Sequence, residues 1–481
     1  MSTDEAKLSI IVLLSIALGV MLSPESLTVL GNGMGSGGGF FLISLVVAVF
    51  AHFLTALSYG ELPIRHPGLS AESDLLRKSF GSVPATILPL SSRVLFAVCA
   101  STGILATAGY VFNEVFVYWF PNLGFSFCLL ALLLAINLLG RKVTITAQIS
   151  FVTVALAGLV LLVLVGFLEL GKASAVAGPL DLGSANLVRV APVGLVLFIG
   201  HELALQAVSR KEGCRGNLAV SLGGGMVLIG LVFSAWGLIS LKYVDLETLA
   251  DTTIPHMIAA REILGHNGRI IMGIVVIAAA LGAVNGLLFS VSRMLSGMAR
   301  GGLLPSLFTE RNDRTTATLL LLVFGIAGMM GLGMAGEPVL EIYTRAGVLF
   351  WLLTYAAVHL AMFMSVRSRA RERKASSAVS WHPLGSIIGL LIMLGGFRWL
   401  LWTDANSAEV IEFMVLLSAV LAIMSALWLR LKKKDNNLIV RQIEKERTNE
   451  EKHPSDIQNG IRFSFGGGVS SKCRGRQCAQ D

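Results

Sequence analysis

The chain has 481 residues, 54% of them hydrophobic and only 14% charged, with a mean hydropathy of +0.74. A soluble chain of this length carries roughly 25% charged residues, so the composition excludes a water-soluble globular protein and points to one built for lipid. The net charge of +8 does not call for nucleic acid, because the basic residues sit in short loops between apolar runs, as membrane topology demands.

Windows of roughly 20 apolar residues mark candidate spans. In chain order they fall at about 8–30, 40–60, 87–118, 124–140, 145–169, 189–208, 217–241, 268–299, 315–335, 339–365, 383–402 and 409–431. The polar Met1-to-Lys7 stretch runs straight into the first span, so no cleavable leader is expected. The span at 87–118 is long enough to tilt or to extend beyond the bilayer. The stretch 432–481 is polar and charged and reads as a disordered cytoplasmic tail. Of the five cysteines, Cys99, Cys128 and Cys214 are scattered as small core residues. Cys473 and Cys478 stand as a lone pair in the tail, a weak metal signal.

Two of these spans are interrupted. The first breaks at Met21-Leu22-Ser23-Pro24-Glu25-Ser26 and the sixth at Phe198-Ile199-Gly200-His201-Glu202. A helix in lipid must satisfy its own backbone groups, so such breaks are tolerated only beside a cavity or other protein. Each break opens a similar set of five spans. Five is odd, so the second copy is inverted, and the expected architecture is an all-α membrane transporter of about twelve helices: repeat one at 8–169, repeat two at 189–365, and two added helices at 383–431. The short link between spans six and seven, 209–217, argues against two parallel six-span halves.

Loop charges set the expected orientation. Arg77, Lys78, Arg141, Lys142, Arg210, Lys211, Arg300, Arg369 and Lys432 fall on one side, whereas 31–39 and 119–123 hold no Lys or Arg, and 242–267 carries Asp245, Glu247 and Asp251. This asymmetry places both termini in the cytoplasm. The lack of any Asn-x-Ser/Thr sequon and of a large extracellular domain fits a bacterial inner-membrane protein.

Four stretches carry a family resemblance. They are Tyr59-Gly60-Glu61-Leu62 with Pro67, Gly68 and Phe80-Gly81, Asn137-Leu138-Leu139-Gly140 with Lys142, Phe198-x-Gly200-x-Glu202, and Ser292-Arg293-Met294 with Met298-Ala299-Arg300-x-Gly302-Leu303-Leu304-Pro305. The last, about eight positions in order, is the most specific. Together they resemble the amino acid–polyamine–organocation (APC) superfamily of permeases over residues 8–365. That resemblance implies a LeuT-like fold that moves a small solute by alternating access, with no cofactor. In the family the first break is usually a small-residue and glycine sequence whose bare amides hold a substrate carboxylate. Here Pro24 supplies no amide donor and Glu25 repels a carboxylate. Some proton-coupled members also place a lysine in span 5, and 147–169 contains none.

Half-helix ends expose unpaired amides and carbonyls, so 22–26 and 198–202 are expected to frame the substrate pocket: Leu22, Ser23, Pro24, Glu25 and Ser26 facing Phe198, Ile199, Gly200, His201 and Glu202. Three roles stand open for Glu25: pairing with an amine, carrying a coupling proton, or capping the second half-helix at a vestibule. Glu202 matches the family's glutamate that pins the unwound segment. His201 titrates near neutral pH or serves as a satisfied hydrogen-bond partner. Phe198 is placed to gate the solute or to pack, and Ser101 and Thr102 face the cavity or mediate helix packing. Asn285 and Ser290 are weak candidates for holding sodium beside Ser23. Arg293, Arg300 and Arg345 are read as gating residues, with Glu61, Glu212 and Glu341 as acid partners, the last one helical turn from Arg345.

No convergent acid, base or metal set suggests an enzyme, and no Walker motif is present. The expected partners are the lipid bilayer, an amino acid or amine, and H⁺ or Na⁺, with symport and exchange left open. A cationic amine or polyamine carrier, or a transporter-like sensor without flux, is the alternative.

Overall fold

A computed structural model of the chain describes residues 3–66, 70–171, 192–207, 215–309, 315–372, 382–403 and 405–452. Among the described residues there are helices and no strand. Among the described residues nine helices are long and apolar enough to cross a membrane, and three shorter apolar segments, Ile10–Met21, Val193–Ala207 and Thr316–Gly331, accompany them. The chain is an all-α membrane protein, as its composition requires.

The helices are α1 (Thr3–Met21), α2 (Pro24–Gly37), α3 (Phe41–Arg65), α4 (Ala71–Phe80), α5 (Ser82–Pro89), α6 (Leu95–Val115), α7 (Asn122–Leu139) and α8 (Arg141–Phe167). A short α9 (Val193–Val196) and a 3₁₀ segment (His201–Ala207) follow. Then come α10 (Arg215–Tyr243), α11 (Leu246–Asp251), α12 (Pro255–Arg300), α13 (Thr316–Gly331), α14 (Pro338–Glu372), α15 (His382–Thr403) and α16 (Ser407–Lys452). The chain divides into two units, Met1–Ala426 with the helical bundle and Leu427–Asp481. A disordered tail is expected from 432, yet α16 stays helical through Lys452. Residues 453–481, with Cys473 and Cys478, lie outside the described residues, as do Pro67, Gly68, Arg210, Lys211, Glu212 and Cys214.

Inside the bundle, α12 and α14 form the centre, with 78% and 72% of their most apolar stretches buried, whereas α7 and α15 reach only 22% and line the periphery. Large outward apolar side chains such as Val46, Phe324 and Leu391 are 64–71% exposed. Water would penalise such a surface, and hydrocarbon does not. Cys99 is buried in the bundle, whereas Cys128 faces outward.

Both interruptions read from the sequence are real breaks in the helices. In the first, α1 ends at Met21, and Ser23 takes an extended conformation (φ −57°, ψ 155°) before Pro24 opens α2. A residue preceding proline is driven out of the α region, and Pro24 fits the first helical position because its missing N–H has no partner to lose there. Ser23 then caps α2, its Oγ accepting from the Ser26 N–H at 3.3 Å. In the second break the chain turns at Gly200, where φ is +99°. The long predicted span at 87–118 is a composite: Pro89 ends α5, and a π-helical turn, Leu90–Val94, joins it to α6. The span predicted at 268–299 begins earlier, at Pro255, and bends where Leu264 and Gly265 leave the helical region.

On one side of the bundle, α11 closes onto α2 so tightly that a Cβ on Gly35 would fall 2.3 Å from the Ala250 nitrogen. Asp245 caps α11, its carboxylate accepting the Thr248 N–H at 2.8 Å. That bond holds the Asp245 carboxyl below its ordinary value. A depressed carboxyl contributes stability above its unfolded pKa, near 3.9, and loses it as pH falls through the folded value. Asp245→Ala is therefore expected to lower the melting temperature slightly at pH 7 and not at all near pH 2. Thermal scans of both proteins at the two pH values check this, and an equal deficit at both would contradict it.

Candidate functional site

The two breaks meet. A Cβ on Gly200 would stand 3.0 Å from the Val20 Cβ, directly beneath the end of α1. Beside them opens a cavity of about 470 Å³. Val20, Ser23, Glu25, Ser26 and Val29 line it from the first break, and Val193, Val196, Leu197 and Ile199 from the second. The walls are completed by Phe96, Ala100 and Ile104 of α6, by Glu341, Thr344, Arg345, Val348 and Leu349 of α14, and by Leu400 and Thr403 of α15. A closed bundle at close-packed density leaves few voids larger than a water, so a space of this size between broken helices is a built feature.

Glu25 is half-buried and projects from the first turn of α2 toward α6, where its Oε1 lies 3.5 Å from the point a Gly103 Cβ would occupy. Its buried Oε2 has no hydrogen-bond partner. Arg345 and Glu341, the pair predicted one turn apart, form an ion pair at the cavity's edge.

The other half of the second break turns away from this cavity into a buried ionic cluster. Arg93, 1% exposed, sits in the π turn between α5 and α6. Its Nη2 donates to Glu202 Oε1 at 3.0 Å and to Glu72 Oε2 at 2.8 Å. Tyr59 donates to Glu72 Oε2 at 2.7 Å, and the Trp351 Nε1–H donates to Glu202 Oε1 at 2.8 Å. The Tyr355 hydroxyl donates to Glu202 Oε2 and accepts the Gly200 N–H at 3.2 Å. Arg93 also stacks over Trp351, with Cζ 4.9 Å from the ring centroid. With all three charged groups ionised the cluster carries net −1, and it ties α3, α4, the π turn, the 3₁₀ segment and α14 together. Only about 10 Å³ of space remains beside it, roughly one water.

His201 points into an aromatic group behind the break. Its Nδ1–H donates to the Phe198 carbonyl at 3.1 Å, leaving Nε2 buried without a partner. The His52 ring lies 5.4 Å away, centroid to centroid, with Nε2–H donating to Leu195 O at 2.9 Å and Nδ1 unpartnered. Phe198 packs against His52 and Phe233 and does not line the cavity.

The remaining predicted residues are spread over several surroundings. Leu22 and Pro24 are buried behind the cavity wall. Ser101 and Thr102 are buried in α6 but outside the lining, Thr102 donating to Val98 O at 2.9 Å. Asn285 belongs to an amide network: Asn137 donates to its Oδ1 at 2.9 Å, and its Nδ2 donates to Gln148 Oε1 at 2.8 Å and Thr144 O at 3.2 Å. Gln148, in the span that lacks a lysine, donates to Ser15 O of α1 at 3.0 Å. Ser290 is buried with no partner for its hydroxyl. Arg293 donates to Gln206 O at 2.9 Å beside a crevice of about 30 Å³, and Arg300 is exposed at the end of α12. Among the described residues no cluster of three His, Cys, Asp or Glu side chains is placed to hold a metal.

The sequence reading gives no site role to Arg93, Glu72, Tyr59, Trp351 or Tyr355, and Tyr59 enters it only within a family motif. For Arg93 a signal exists: it is a cation within the apolar span predicted at 87–118, four residues after Pro89, and such a residue needs a buried partner. The others are visible only once the fold assembles them.

The sequence is similar to those of known transport proteins. The chain is 21% identical to the aromatic amino acid transport protein AroP of Salmonella typhimurium (strain SL1344) over 397 residues, covering 78% of this chain and 85% of that protein. It is 24% identical to the L-asparagine permease of Streptomyces coelicolor, covering 82% and 83%, and 22% identical to the inner membrane transport protein YbaT of Escherichia coli (strain K12), covering 85% and 94%. The amino acid permease family model matches residues 8–425, nearly the whole bundle with both breaks and the cavity between them. The chain therefore belongs to the amino acid permease family, within the APC superfamily that its span-ending motifs resemble.

Proposed function

We propose that this protein is a secondary active transporter of amino acids or related amines, working by alternating access in a cytoplasmic membrane with both termini inside. The observation that carries the reading is the cavity of about 470 Å³ framed by both broken spans, with a carboxylate on its wall. It is large enough for a small solute with an apolar body. Relatives described as carriers of aromatic amino acids and of asparagine support the substrate class. The two sets of five spans, each opening on a break, act as an inverted repeat that rocks about the site. The Arg93–Glu202 cluster holds the second break on one side of the cavity, and the Glu341–Arg345 pair flanks the other.

For the coupling ion the geometry favours a proton on His201. Its Nε2 is buried and unpartnered, its ring lies 5.4 Å from that of His52, and its Nδ1 lies 3.8 Å from Glu202 Oε2. Sodium at Asn285 is disfavoured, because that amide is already engaged by Asn137, Gln148 and Thr144.

Reconstitution in liposomes tests the reading. Labelled amino acids and amines are offered under a proton gradient or a sodium gradient. Saturable accumulation is expected with the proton gradient alone. Ala100→Trp puts an indole into the cavity from α6 and is expected to cut uptake at least tenfold with little change in melting temperature, since the ring enters existing space. Unchanged uptake in that variant would remove the cavity from the transport path, and accumulation that needs sodium would overturn the proton assignment.

A further inference from the structure

The cavity's polar groups make an uneven set. Most of its donor groups already have an acceptor. Ser23 and Ser26 share a hydrogen bond at 3.1 Å, Thr344 donates to Leu340 O at 2.8 Å, Thr403 donates to Trp399 O at 3.1 Å, and Arg345 is held by Glu341. Two of the amides at the start of α2 are taken as well. Pro24 has no N–H, the Ser26 N–H goes to Ser23 Oγ at 3.3 Å, and the Leu27 N–H goes to Ser23 O at 3.2 Å. What remains is an acceptor, the buried and unpartnered Glu25 Oε2. With Glu341 and Arg345 paired, Glu25 is the one other ionisable side chain of the described lining, and the rest of it is largely apolar.

An ionised carboxylate in a low-dielectric wall calls for a cation with N–H donors. A carboxylate on the ligand would find the one cation of the described lining, Arg345, already held by Glu341, and would face Glu25. We infer that the preferred substrate is an amine lacking a carboxylate, a monocation whose ammonium pairs with Glu25 and whose bulky apolar body lies against Phe96, Ile104, Leu349 and Leu400. This inference rests on the cavity being the transport site and narrows its substrate from amino acids to apolar primary amines. The ring of Phe96 adds a face on which the ammonium is stabilised.

Three probes that share one ring separate the possibilities: phenethylamine, phenylalanine and 3-phenylpropionate, titrated into the purified full-length protein by calorimetry. Phenethylamine is expected to bind at least tenfold tighter than phenylalanine, and phenylpropionate not to bind. Glu25→Gln is expected to weaken phenethylamine at least tenfold, whereas Glu25→Asp stays within a few-fold of the wild type. If Glu25→Gln does not fold, the ranking of the three probes on the wild type decides. Phenylalanine binding as tightly as phenethylamine, and lost in Ala100→Trp, overturns the amine preference and leaves the transport site standing. Phenethylamine binding that is indifferent to Glu25→Gln overturns the pairing. No binding of any probe, together with flux unaffected by Ala100→Trp, overturns the transport site and the amine preference with it.

Discussion

Arg93→Met is expected to destabilise the protein by about 3–5 kcal/mol, the range for removing one partner of a buried ion pair. The side chain is 1% exposed and holds two carboxylates, Glu72 and Glu202, at 2.8 and 3.0 Å. Without the guanidinium, two buried negative charges face each other with only the Tyr59, Tyr355 and Trp351 donors left to them. The loss comes from stranded charge and not from missing volume, because Met fills most of the same space. Adding Glu72→Gln and Glu202→Gln to Arg93→Met removes the stranded charge and is expected to recover much of the stability, since a neutral, well-packed replacement of a buried ion network is often tolerated. Arg93→Lys is expected to recover less than wild type, because one ammonium does not reproduce the guanidinium fork that also donates to Ser92. Melting temperatures of the four proteins in one detergent check the ordering. A single Met variant as stable as the wild type would mean that the cluster contributes nothing to holding the fold.

Gly200→Ala is expected to cost about 1–3 kcal/mol, the range for a non-glycine residue held in a sparsely populated backbone region, and to reduce transport at least tenfold. Two separate penalties apply. The φ of +99° disfavours any side chain, and the new Cβ would meet Val20 at 3.0 Å. Both act at the contact between the two breaks, so the 3₁₀ segment must shift against α1 just where the cavity begins. Pairing the change with Val20→Ala, which removes the Cγ atoms at 3.1 and 3.4 Å but keeps the Cβ at 3.0 Å, is expected to relieve only part of the steric cost and to leave the backbone part. Measured stability and initial uptake rates of the single and double variants separate the two. Full recovery in the double variant would show that conformation contributes nothing, and no recovery would show that the Val20 methyl groups are not the obstacle.

The legibility of the molecule differs from part to part. The apolar runs, Ser23-Pro24 and Gly200 each act through local rules: hydrocarbon length, the steric exclusion of the α region before proline, and the freedom of glycine at positive φ. Such features stand in the one-dimensional order of residues and come through the fold unchanged. The Glu341–Arg345 pair is local in the same way, one helical turn apart. By contrast, Arg93, Glu72 and Glu202 come from the π turn, α4 and the 3₁₀ segment, up to 130 positions apart along the chain. Phe198 sits next to cavity-lining residues in sequence, yet its ring packs with His52 and Phe233 behind the break.

Composition and two helix-breaking sequences thus determined, without coordinates, that the chain lives in lipid, that it is all-helical, and that the first and sixth predicted spans come apart. Which acids meet which cation, which side of the second break faces the cavity, and that Glu25 Oε2 is left without a partner were decided only by the packed bundle. The physical reason is that a backbone break depends on its immediate neighbours, whereas the pairing of a buried charge depends on whichever distant helix is packed against it.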